Sequence, residues 1–261
     1  MKIYVINLKR RTDRLEKIIK SFEKFKFTNY EIVEAYDALS FKIDPRSISK
    51  NMDRVERELS GPEICTSLSH NKTYDIILQS KDHHAVVIED DCPITEALIN
   101  FVNQDNRIDC EVTLLTYFSS NSTNINNSEF KPQSYNYEIM DECSATRVYF
   151  KKEYNKIGDY LYHRFDDKTI KVDFLNSAQC YYITRQGCQR FLKLNTPILV
   201  NLDCIWNYHA VDLYGIRPPL CVAINDFSID SDLQKDRNKY QHTKLHSKSF
   251  VNRKRNPLFG C

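Results

Sequence analysis

Hydrophobic and polar positions follow two alternating periods along this chain, and their order predicts the fold. Residues 2–8, Lys2-Ile3-Tyr4-Val5-Ile6-Asn7-Leu8, form a nearly unbroken apolar run, the pattern of a strand covered on both faces. Over residues 11–25, Leu15, Ile18, Ile19, Phe22 and Phe25 recur at helical spacing, which predicts an amphipathic helix. Residues 31–35 read as a second strand ending at Tyr36-Asp37. The polar stretch from Ser40 to Ser60 leaves room for a short helix. Gly61-Pro62-Glu63 then opens a helix, with proline in its first turn and an acid toward the positive end of its dipole. Its apolar face is Ile64, Leu68, Tyr74, Ile77 and Leu78. Ala85–Ile88 supplies the third strand. Strands alternating with helices in this way predict an α/β fold with a mostly parallel central sheet flanked by helices.

Farther along, Val112–Leu115 reads as a buried strand, and residues 119–136, rich in Ser and Asn, read as a long loop. Residues 178–183 alternate as a strand and 186–194 follow as a helix. Residues 237–261 carry Arg237, Lys239, Lys244, Lys248, Arg253, Lys254 and Arg255 and no acid. The expected division is one domain over residues 1–230 and a basic tail over 231–261.

Composition narrows the class. With 261 residues the chain can bury one large core or two small ones, and 41% hydrophobic with 28% charged residues is ordinary for a globular protein. A formal charge of +2 is too small to imply nucleic acid on its own. No run reaches the length of a membrane-spanning helix. The first apolar segment is followed at once by Lys9-Arg10-Arg11, the wrong order for a signal peptide. A cytoplasmic protein, with peripheral membrane attachment as an option through the tail, is the expectation. The nine cysteines include no C-x-x-C pair and no zinc spacing. They read as small core residues in a reducing compartment.

The candidate chemistry begins at Ala85-Val86-Val87-Ile88-Glu89-Asp90-Asp91. An apolar strand ends there in three carboxylates, at the strand end where open α/β sheets place ligands. Clustered carboxylates repel unless a cation neutralises them, and oxygen donors suit Mg²⁺ or Mn²⁺. The plain alternative is a solvated acidic loop.

Several segments occur in a telling order: Ile6-Asn7-Leu8-Lys9-Arg10-Arg11-Thr12-Asp13-Arg14, Glu34-Ala35-Tyr36-Asp37, Gly61 through His70, Val87 through Asp91, Ala178 through Gly187, and Pro197 through Asp203. Together they resemble glycosyltransferase family 25, which includes bacterial lipooligosaccharide galactosyltransferases and collagen hydroxylysine galactosyltransferases. Two departures stand out. Ile64 replaces the family's usual glycine before Cys65, and the tail beyond Ser231 has no counterpart. The resemblance implies a GT-A-like fold, a nucleotide-sugar donor and usually Mn²⁺.

It also implies roles. Glu89 and Asp91 have the D-x-D spacing; Asp91 is the expected metal ligand, with Glu89 on the nucleotide and Asp90 holding the loop or binding through water. Asn7, Arg10, Arg14, Asp37, Ser69 and His70 are the other donor-site candidates. Arg10 and Arg14 lie four apart, the spacing of one helical face, and arginine suits phosphate geometry; surface ion pairs are the alternative. For His70 the alternative is a hydrogen-bonded core residue. Asp203 is the candidate general base, against a helix-cap role near Ile205. His209 and the segment 226–232 are candidates for completing the metal site, and Trp206, Tyr208 and His209 for an acceptor wall. The reaction expected is metal-dependent, inverting transfer of galactose or glucose from a UDP-sugar to a hydroxyl of a glycan or of hydroxylysine in a collagen-like protein. The rival classes are a degenerate nucleotide-sugar binder and an anionic-surface or nucleic-acid binder acting through the tail.

Overall fold

The computed structural model describes residues 1–41, 59–105, 108, 110–116, 155–157, 160–164, 169–172, 178–198, 202, 213–216 and 220–221. The elements in chain order are β1 (Lys2–Asn7), α1 (Thr12–Lys24), β2 (Tyr30–Glu34), α2 (Gly61–Gln79), β3 (His84–Glu89), α3 (Glu96–Gln104) and β4 (Val112–Leu114). They continue with β5 (Asn155–Ile157), β6 (Tyr160–Arg164), β7 (Thr169–Val172), β8 (Cys180–Thr184), α4 (Arg185–Leu194) and β9 (Leu213–Ile216). Asp203, His209, the 119–136 loop, the expected helix between Ser40 and Ser60 and the basic tail fall largely or wholly outside the described residues.

The strands form one sheet in the order β2-β1-β3-β8-β4-β9-β7-β6-β5. This corrects one expectation: the sheet is mixed. β1 runs parallel to β2 and β3, and β4 parallel to β9, but β8 enters between β3 and β4 in the opposite direction. β5, β6 and β7 add antiparallel pairings, closed by β7 against β9. Side-chain periodicity reports which faces of a strand are buried and says nothing of its direction. The short links between β5, β6 and β7 also permit only antiparallel neighbours, since parallel ones need a long crossover.

Helices cover both faces. Along β1, Tyr4 and Ile6 join the core with Tyr74 and Ile77 of α2 and Cys188 and Phe191 of α4. Ile3 and Val5 point the other way, toward Ile18 and Phe22 of α1 and Leu98 and Val102 of α3. β3 and β8 alternate in the same manner, which is why both read as buried on both sides.

Local chemistry fixes the helix ends. Ser60 and Glu63 form a reciprocal cap at the start of α2, each side chain accepting from the other's backbone N–H. At its other end the Arg185 guanidinium donates to the carbonyls of Ile77, Leu78, Ser80 and Asp82, a cation on the negative end of the dipole. Thr184 ends β8 and caps α4 by accepting from Gly187 N–H at 3.1 Å. The nine-residue α3 was not anticipated from the sequence. It follows Pro93 closely and is capped by Thr95, whose hydroxyl accepts from Leu98 N–H. Among the described residues, no helix is long and apolar enough to cross a membrane.

Candidate active site

β1 and β3 are parallel neighbours, with Ile6 opposite Glu89, so Asn7 and the Glu89-Asp90-Asp91 turn emerge together at one edge of the sheet. Each acid of that turn has its own anchor. Asp90 is the most enclosed, its side chain 8% exposed. It accepts from Asn7 Nδ2 at 2.7 Å and from Arg14 Nη1 at 2.7 Å. Asn7 also donates to the Arg11 carbonyl at 3.2 Å, tying the end of β1 to the start of α1. Arg14 therefore serves the acidic turn directly, with Asp91 a further 3.5 Å contact.

Arg10 does something else. α1 begins only at Thr12, so Arg10 precedes the helix and the expected shared face with Arg14 does not form. Its Nε donates instead to Asp37 Oδ2 at 2.7 Å. Asp37 also accepts from Leu39 N–H. Ser69 draws this segment inward: its hydroxyl accepts from Tyr36 N–H at 2.9 Å and donates to the Cys65 carbonyl at 2.7 Å.

Glu89 faces the α2 side. Its Oε1 lies 3.2 Å from His70 Nε2, and the imidazole is fully buried. A carboxylate only accepts, so His70 Nε2–H donates to Glu89, while Nδ1 lies 2.6 Å from the Tyr181 hydroxyl, which itself donates to Tyr74. Tyr74 Oη continues the chain 3.0 Å from Tyr181 Oη. His70 is thus both a buried, hydrogen-bonded histidine and the group that aims Glu89. The sequence pattern puts Tyr74 on the apolar face of α2 and Tyr181 in a strand, and shows the partner of neither hydroxyl. The signal was present: His70 and Tyr74 are four apart on one helix, and four-apart residues share a face.

Asp91 is the most open of the three, 39% exposed. It accepts from Gln179 Nε2 at 3.3 Å, a contact that the sequence pattern does not signal. Enclosing protein atoms and the charges of Glu89 and Asp90 push its carboxyl up to about 7, against the pull of Arg14. The carboxyl whose ionisation its surroundings oppose most is thus the one that faces outward. Carboxylate oxygens such as those of Asp91 are of the kind that suit a hard divalent cation.

The family model described as glycosyltransferase family 25 (LPS biosynthesis protein) matches residues 1–206. The chain belongs to glycosyltransferase family 25. A search of the curated proteins found no match. The matched span contains every site residue above. The departure at Ile64 also has a structural account. Ile64 is fully buried and packs with Leu59 and Ile198, so in this family 25 chain the side chain fills a small satellite core at the start of α2. Asp203 falls in the matched span and His209 beyond it, and both lie outside the described residues.

Proposed function

We propose that this family 25 protein is a metal-dependent, inverting hexosyltransferase of GT-A-like fold. It moves galactose or glucose from a UDP-sugar to a hydroxyl of a glycan or of hydroxylysine in a collagen-like protein. The observation that carries the reading is the division of labour in the acidic turn. Asp90 is satisfied internally by Asn7 and Arg14, while Glu89 and Asp91 present oxygens at the ligand-binding edge of the sheet.

In this reading Asp91, with His209 as a further ligand, holds Mn²⁺ or Mg²⁺, and Glu89 accepts hydrogen bonds from the nucleotide. When bound, the cation supplies charge neutralisation for the departing diphosphate. The protein residues do the rest. His70 fixes the orientation of Glu89, and Ser69, Asp37 and Arg10 form the neighbouring wall of the donor cleft. Asp203 takes the proton of the acceptor hydroxyl as its oxygen bonds to the anomeric carbon and the bond to UDP breaks on the opposite face.

The test is a thermal-shift panel of UDP-, GDP- and CMP-sugars with and without Mn²⁺. A ligand that binds only the folded state at about 100 times its Kd adds about 2.7 kcal/mol. A Mn²⁺-dependent rise with UDP-sugars, lost in Asp91→Ala, is expected. A panel in which no UDP-sugar raises the melting temperature sinks the proposal. For the base, Asp203→Asn keeps donor affinity and lowers kcat by about 10²–10⁴-fold; a wild-type kcat moves that role elsewhere.

A further inference from the structure

A second donor cluster lies behind the acidic turn, on the α1 and α3 side of the sheet. Cys92 follows Asp91, Cys180 opens β8, and Cys221 lies beyond β9. They are 88 and 41 residues apart in sequence, yet their sulfurs all lie within 4.8 Å of one another. Cys92 and Cys221 Sγ are 3.5 Å apart, far beyond the roughly 2.05 Å of a disulfide. All three residues are at most 3% exposed.

A fourth polar atom is close by. Thr116 Oγ1, fully buried, faces the Cys221 thiol yet makes no hydrogen bond of normal geometry. The backbone locks these pieces together. Thr116 N–H donates to the Cys180 carbonyl at 3.3 Å, and Leu220 N–H to the Leu115 carbonyl at 2.8 Å. The Thr95 hydroxyl donates to the Leu220 carbonyl.

We infer that Cys92, Cys180 and Cys221 form a structural site for a thiophilic d¹⁰ cation, Zn²⁺ or Cu⁺. Metal–sulfur bonds of about 2.3 Å set sulfurs about 3.8 Å apart in a tetrahedral site and about 4.0 Å in a trigonal one. The observed spacing brackets both. Sulfur donors select soft cations and reject the hard cation expected at the oxygen edge. Thr116, a buried hydroxyl beside Cys221, would complete a tetrahedral set for Zn²⁺. Cu⁺ needs only the three sulfurs. The ion binds as the cysteines give up protons to solvent, with no change of oxidation state. Bound there, it pins the residue next to Asp91 to β8 and to the segment after β9. The inference does not rest on the transferase reading.

The test uses the whole chain, purified under reducing conditions. Metal content is measured by mass spectrometry, followed by anaerobic titration of the metal-stripped protein with Zn²⁺ and, separately, Cu⁺. Stoichiometric uptake of one of them, a higher melting temperature and protection of thiols from a disulfide reagent are expected. Co²⁺ substitution gives sulfur-to-metal charge-transfer bands if the site is tetrahedral. Cys92→Ser, Cys180→Ser and Cys221→Ser lose the ion. Cys188→Ser, a buried thiol on the opposite face, keeps it. Should the cluster variants fail to fold, thiol protection in the wild-type chain decides alone. No stoichiometric uptake of either ion, retention of the ion in all three variants, or a Cys92–Cys221 disulfide in place of metal overturns the inference.

Discussion

Arg14→Ala tests whether the acidic turn is held from α1. The Arg14 and Asp90 side chains are only 11% and 8% exposed, with Nη1 to Oδ1 at 2.7 Å. At an effective dielectric near 20, unit charges at that separation attract by about 6 kcal/mol. Desolvating both ions offsets much of this, so the net value of the pair is modest. Removing one partner is different, because the remaining charge stays enclosed. Such losses run about 3–5 kcal/mol for fully buried pairs. Asn7 Nδ2 still donates to Asp90 and the pair is not wholly sealed, so the lower end, about 3 kcal/mol, applies. For a chain of this size that lowers the melting temperature by about 6–12 °C. The assay is urea unfolding of wild type, Arg14→Ala, Asp90→Asn and the double variant. Asp90→Asn should restore most of the loss in the Arg14→Ala background, giving a coupling of about 2–3 kcal/mol. A single-variant loss under about 0.5 kcal/mol with no coupling is the behaviour of an exposed pair, and it would refute the clamp.

Three further outcomes are expected. Tyr181→Phe removes the hydroxyl between His70 and Tyr74 and costs about 1–3 kcal/mol; donor KM should rise too as Glu89 loses its fixed orientation, and unchanged stability together with unchanged KM would dissociate the relay from the site. The Asp91 carboxyl ionises near 3.8 when unfolded and near 7 when folded, so the metal-free protein binds the extra proton and loses stability as pH rises across that window. Mn²⁺ competes with that proton, so its apparent affinity falls up to tenfold per pH unit below about 7; a calorimetric titration series with no such slope, or the same slope in Asp91→Asn, contradicts the assignment. In Gly187→Ala the new methyl meets the Glu111 carbonyl and comes within 2.9 Å of Ile183 Cγ1, and overpacking of about 1–3 kcal/mol should appear in denaturant unfolding.

Much of the fold was legible because its pattern is local. β1, α1, β2, α2, β3, β4, β8 and α4 follow from apolar runs and helical spacing, within a residue or two at their ends. The direction of β8 was not legible, because alternation is the same read from either end. α3 hid behind its shortness and the proline before it. The acidic turn was visible as composition, but its internal sorting was not. That Asp90 is satisfied while Asp91 is exposed depends on Asn7 and Arg14 arriving from β1 and α1. The thiol cluster was least visible of all. Zinc motifs are read from short spacings, whereas these three cysteines meet only because three strand ends of one sheet converge.

That convergence holds residues 89–92 from several elements at once. Glu89 is aimed by His70 from α2. Asp90 is held by Arg14 from α1 and Asn7 from β1. Asp91 is met by Gln179, just before β8. Cys92 turns to the opposite layer and meets Cys221. Four consecutive side chains are thus fixed from different directions, and none can shift without disturbing a partner on another element. A carboxylate cluster held this way keeps its geometry while its charges repel. Under the proposed function, such preorganisation would let the site receive a cation and a diphosphate without rearranging first.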